Sequence, residues 1–177
     1  RGLVQVLTSP NGIQRDMAQQ WIIERNNPGA VPELEKLLQN QASELGRLHA
    51  LCTLDGLGKL RPEILADALK DTSPEIRRHA VRISESFVES SPWLLDVLIP
   101  LVKDSYPPLL QQLAYTLGEW SQTRAGMALA ELVLLHGTDP YLLASALSSA
   151  VPHLENLLAS QSETGTSPSP TFESDLM

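Results

Sequence analysis

Few residues of this chain are of types and spacings that do chemistry. His49 and Cys52 stand three apart, so one helix face would carry an imidazole and a thiol, both competent zinc ligands. Two ligands do not complete a site, and a cysteine between Leu51 and Leu54 serves more simply as a small core residue. His49 and His79 hold matching places 30 residues apart. Stacked helices with axes roughly 10 Å apart would let them share an ion or form a pH-sensitive seam. Repetition of a packing role explains the same coincidence. His136 and His153 follow no such spacing and read as surface or helix-end residues.

Arg15, Arg47 and Arg77 each open an Arg-x-x-Ala sequence. Three guanidinium groups suggest an anion clamp, but an ion pair to an acidic loop residue of the next repeat is the simpler use. The cluster of Arg77, Arg78 and Arg82 reads as a solvated face. Gly56-Leu57-Gly58 is no dinucleotide fingerprint, since no strand precedes it and the third glycine is missing. No serine sits in a Gly-x-Ser-x-Gly elbow. Glu33, Glu35, Glu85 and Glu89 fall on exposed helix positions, where paired-acid catalysis would need a pocket. Trp21 and Trp120 continue apolar helix faces and are expected in the core. Trp93 follows Ser91-Pro92 and is the candidate exposed partner contact.

Composition narrows the classes further. The 177 residues are 42% hydrophobic, and 13 Lys and Arg face 21 acids for a net charge of −8. That balance argues against a nucleic-acid partner, whose phosphates demand clustered cations. A single cysteine allows no internal disulfide. No apolar run is long enough to span a bilayer. The chain starts at Arg1-Gly2 and is expected to be a piece of something longer.

The elements that position these residues repeat. The alanines of the three Arg-x-x-Ala sequences, Ala18, Ala50 and Ala80, stand 32 and 30 apart, and steps of 33 then reach Leu113 and Ala146. The arginine place becomes Leu110 and Leu143 in the last two repeats. Each repeat opens with a helix-start signal: Ser9-Pro10, Ser43, Ser73-Pro74, Tyr106-Pro107 and Asp139-Pro140. Each then breaks and starts a second helix, expected at 30–41, 62–70, 92–103, 124–136 and 153–159. Pro100 should bend or shorten its helix, and His136-Gly137 should end one with a left-handed glycine. Strict two-residue alternation is absent, so no strand is expected.

About five helical hairpins that cannot bury their apolar stripes alone make an all-α superhelix, an α-solenoid. It should occupy residues 1–158 and begin inside a repeat, because Leu3 to Leu7 resembles the end of a second helix. Residues 159–177, rich in Ser, Thr and Pro, read as a flexible linker.

Asp71-x-Ser-Pro-Glu-Ile-Arg77-x-x-Ala80-Val81 resembles the HEAT-like repeat, whose relatives include armadillo-like helical proteins. The resemblance implies a ladder of Arg15, Arg47 and Arg77 with Asp71 and Asp104, fading toward the C-terminus. Ser9 to Ala18, Ala30 to Leu34 and Gly46 to Gly58 are similar to the helical segment of large planctomycete-type putative membrane-bound dehydrogenases. Those join a propeller, HEAT-like repeats and a haem-binding Cys-x-x-Cys-His module. Neither the propeller nor the haem motif stands in these residues, so no catalytic, cofactor-binding or metal-binding residue is assigned.

The expectation is therefore a non-catalytic scaffold that needs no cofactor of its own and positions neighbouring domains of a larger protein. The alternatives are a stand-alone adaptor that binds a protein along its concave face, and a protein resembling bilin lyases that handles a chromophore. A periplasmic or cell-envelope location follows from the resemblance alone.

Overall fold

The structure, a computed structural model, describes residues 2–41 and 43–154. Ten α-helices and several 3-10 turns make up its regular structure, with no strand among the described residues. In chain order the helices are α1 (Gly2–Val6), α2 (Gly12–Arg25), α3 (Val31–Leu38), α4 (Glu44–Gly56), α5 (Pro62–Ala68), α6 (Pro74–Ser84), α7 (Leu95–Leu98), α8 (Pro107–Glu119), α9 (Thr123–His136) and α10 (Pro140–Ser149).

The even-numbered helices share one local design. Their caps are Asn11, Ser43, Ser73, Tyr106 and Asp139. Four of these side chains accept a first-turn amide, as Ser43 does from Gly46 N at 3.1 Å and Asp139 from Tyr141 N at 2.9 Å, filling an orphan donor of the helix start. Tyr106 has no such group, and Asp104 Oδ1 takes the Tyr106 amide instead. The expected start at Ser9-Pro10 moves on to Asn11, because Ser9 Oγ is engaged with Gln14 and the Asn11 amide. Four residues after each cap stand Arg15, Arg47, Arg77, Leu110 and Leu143, each donating its amide to the cap carbonyl.

This shared register lets the even helices stack in series, α2 on α4, α4 on α6, α6 on α8 and α8 on α10. The odd helices lie alongside, α1 on α2, α3 on α4, α5 on α6 and α9 on both α8 and α10. One continuous apolar core runs from Val4 to Ala146 and includes Leu34, Leu51, Leu54, Leu65, Leu98 and Leu113. Each such leucine contributes about 1.5–3 kcal/mol by leaving water. Packing therefore holds helices as short as the seven-residue α5, which could not persist alone.

Where the chain turns, a few residues decide the geometry. Gly58, at φ 62°, ends α4, with Lys59 N donating to Leu54 O at 2.9 Å. Gly137 was the other expected left-handed exit, but its φ is −65°, and its amide donates to Val133 O within an ordinary right-handed turn. Pro100 splits the expected 92–103 helix into a 3-10 turn, the four-residue α7 and a second 3-10 segment, Ile99–Lys103. Its ring nitrogen has no hydrogen to give to the carbonyl four residues back. Most of the expected helix at 153–159, and all of the expected linker at 159–177, lie outside the described residues. No helix of the described residues is long and apolar enough to cross a membrane.

Candidate functional site

The stacking brings the charged residues of one repeat onto the loop of the next. Arg47 lies in the first turns of α4, and its guanidinium meets the Asp71 carboxylate twice, Nε to Oδ2 and Nη2 to Oδ1, each at 2.9 Å. Nη1 turns back to the carbonyls of Asn40 and Gln41, both at 3.2 Å. Arg77 repeats the arrangement from α6. Its Nε and Nη2 reach Asp104 Oδ2 at 2.9 and 2.8 Å, and its Nη1 reaches the carbonyls of Asp71 and Thr72. Each aspartate uses Oδ1 to hold the amide two residues on, that of Ser73 or Tyr106. Each rung thus joins a helix, its own entry loop and the entry loop of the next pair. All three guanidinium nitrogens of Arg47 are engaged and the residue is only 3% exposed, so it is closed to an anion from solvent.

The ladder stops at both ends for different reasons. Arg15 donates Nη1 to Ser9 O at 2.7 Å, but no carboxylate of the described residues pairs with it, and its buried Nε has no partner. This corrects the expectation that Arg15 forms a rung: the place filled by Asp71 and Asp104 later in the chain holds Asn40 here. In the fourth repeat the arginine place is the buried Leu110, and the acid place, 33 residues after Asp104, is Gly137. Both halves of that rung are missing together. In the same region Asp104, Leu110, Gln111, His136, Asp139 and Tyr141 help line a cleft of about 490 Å³.

A second seam of polar contacts crosses the stacked helices. Gln19 of α2 and His49 of α4 meet at 2.7 Å, Glu44 accepts from Ser73 Oγ at 2.6 Å, and Glu75 accepts from the Tyr106 hydroxyl. Thr116 donates to Glu85 at 2.6 Å, and Ser145 to the Tyr115 hydroxyl at 3.0 Å. These partners stand 29 to 31 residues apart. The repeat length already in the sequence is the signal that pairs them.

The histidines and the cysteine lie in or beside this seam. Burial holds the His49 imidazole below its usual pKa, and Arg15 adds to the effect. His79 is lowered by burial and then by Arg78 and Arg82. Arg78 Nη2 lies 3.0 Å from His79 Nε2. A guanidinium only donates, so that nitrogen accepts and the ring is neutral. Cys52 is half-buried, and burial pushes its thiol up, away from the nucleophilic thiolate. No three His, Cys, Asp or Glu side chains among the described residues converge to hold a metal ion.

Four side chains depart from their expected places. Trp21 is 43% exposed instead of core, with Arg25 stacked 6.0 Å from its ring centre, because none of the described helices covers that face of α2. His153, read as a surface or helix-end residue, does end a 3-10 turn but is fully buried there. Its Nε2 bonds Leu117 O at 3.0 Å, and its ring presses against Gly126, where an added Cβ would lie 3.0 Å away. Among the carboxylates read as exposed, Glu85 takes the Thr116 hydroxyl and Glu35 pairs with Arg61 at 3.1 Å. Trp120 is fully buried, and Trp93 is 43% exposed at the start of its 3-10 turn. A further cleft of about 500 Å³ opens near α3 and α5, between Glu35, Leu38, Arg61, Ile64 and Asp67.

No protein-family model matches this chain, and no curated protein matches it in sequence.

Proposed function

We propose that this chain is a HEAT-like helical array acting as a non-catalytic scaffold, which positions neighbouring domains of a larger dehydrogenase-like protein. The observation that carries this reading is the pair of rungs, Arg47–Asp71 and Arg77–Asp104, repeated at one place in successive repeats. They commit the most buried charged groups to tying one helix pair to the next, so the cations that would serve a reaction serve cohesion instead. Stacked first helices with a shared register support the same view. The sequence resemblance adds the dehydrogenase parent and a cell-envelope setting. The purified chain, assayed for sugar oxidation with an artificial electron acceptor, should give no turnover above buffer. Robust turnover would overturn the reading.

One observation favours the adaptor alternative. Trp93, an indole 43% exposed, is the type of residue that anchors protein contacts. Trp93→Ala should weaken a bound partner at least tenfold while leaving the melting temperature unchanged. Unchanged binding would remove that role.

A further inference from the structure

The cleft of about 490 Å³ between the starts of α8 and α10 stands where the fourth rung of the ladder would be. One repeat earlier the chain's own arginine fills that seam. Arg77 gives Nη1 to the carbonyls of Asp71 and Thr72, the two residues before the Ser73 cap, and its other nitrogens to the next aspartate. In the fourth repeat the side chain is Leu110, shorter and without a donor, and Gly137 brings no carboxylate to meet one. The two residues before the Tyr106 cap, Asp104 and Ser105, line the cleft, and their carbonyls accept no hydrogen bond among the described residues.

The lining also carries an uncompensated charge. Asp139 accepts the amides of Tyr141 and Leu142 with Oδ1, which leaves Oδ2 without such a bond, and it enters no ion pair among the described residues. The charge of Asp104 is already met by Arg77, and His136 gives its Nε2 hydrogen to Val102 O. Pro107, Leu110, Leu135 and Leu142 supply apolar walls. Loop carbonyls, one unpaired carboxylate and apolar walls suit a cation that carries several donors on an apolar stem.

We propose that this cleft takes an arginine side chain of a partner protein, whose guanidinium fills from outside the place that Arg47 and Arg77 fill from within. A guanidinium presents a fixed fork of N–H donors and no acceptor, and its stem can lie along leucine and proline. The compact ammonium of lysine reaches fewer of the spread acceptors. Residues 155–177 hold no lysine or arginine, so they offer no such group. The inference rests on the missing rung and not on the dehydrogenase parent, so its failure would leave the scaffold reading standing.

The test is a titration of the full, isotopically labelled chain with a Gly-Arg-Gly peptide blocked at both ends, followed by amide NMR shifts. Shifts at Ser105, Leu110 and Tyr141 should saturate with a Kd of about 1 mM, and the matching Gly-Lys-Gly peptide should bind about tenfold more weakly. Asp139→Asn keeps a capping oxygen but removes the charge, and should weaken the arginine peptide about tenfold. Asp96→Asn removes an equal charge at an exposed site elsewhere and should leave binding unchanged. Leu110→Arg should refill the cleft from within and abolish the shifts. Should that buried variant not fold, Asp139→Asn decides alone. No saturable shift at the cleft, equal binding of both peptides, or an Asp139→Asn chain that binds as well as the parent would each overturn the proposal.

Discussion

Arg47 and Asp71 face each other across a repeat boundary with two parallel 2.9 Å bonds, and the arginine is almost wholly out of water. A pair like this differs from a surface salt bridge such as Lys103–Glu131, at 3.6 Å between exposed groups. The surface pair contributes at most about 1 kcal/mol. Breaking the buried one leaves a charge and two loop carbonyls without partners.

Arg47→Ala should therefore destabilise the chain by about 3–5 kcal/mol in urea unfolding. Arg77→Ala should cost less, because the Arg77–Asp104 pair is more open to solvent, with arginine 18% exposed. Equal losses for both variants and for Lys103→Ala would show that burial does not set the strength of the rungs.

Asn40→Asp should add the missing rung. It places a carboxylate 25 residues after Arg15, close to the 24 and 27 that separate the two paired rungs, and offers it to an arginine whose Nε is buried without a partner. A charge-assisted bond there should stabilise the chain by about 1–2 kcal/mol, read as a raised melting temperature. Arg15→Leu should erase the gain. A gain that survives Arg15→Leu would place the new carboxylate elsewhere.

Gly118 tests how closely α8 meets the end of α10. A Cβ there would lie 2.8 Å from Ser149 Cβ and 3.1 Å from its backbone oxygen. Backbone cannot step aside as a flexible side chain does, so Gly118→Ala should cost about 1–3 kcal/mol despite the better helix propensity of alanine. An unchanged or improved melt would mean that the two helices are further apart than described.

Much of this arrangement is legible in the sequence, and the reasons for the misses are physical. Arg47, Arg77, Asp71 and Asp104 are legible because a repeat places like residues at like positions, and the cap sets each arginine four residues into its helix. Trp21 misleads because helical spacing shows that a side chain lies on an apolar face, but not whether another helix covers it. His153 misleads for the opposite reason: its partner, Leu117 O, is a backbone group 36 residues away that no spacing rule marks. Gly137 is read as left-handed from its type alone, whereas the tight Val133 carbonyl contact keeps it right-handed.

The two seam histidines predict a pH dependence with a definite sign. Both imidazoles sit below the ordinary 6.5 in the folded chain, so as pH falls through 6.5 the unfolded chain takes up protons first. Stability should hold level above that value and decline below it. Urea melts at pH 7.5 and 5.5 should show the loss, and His49→Gln with His79→Gln should reduce it. A double variant that loses as much stability as the parent would assign the effect to other groups.

The most direct test of a chain held together rung by rung is a double-mutant cycle on Arg47→Ala and Asp71→Ala, with unfolding followed in urea. If the two residues tie neighbouring helix pairs, the cycle returns a coupling of about 1–3 kcal/mol. A coupling within about 0.3 kcal/mol of zero, the value for independent sites, would contradict it.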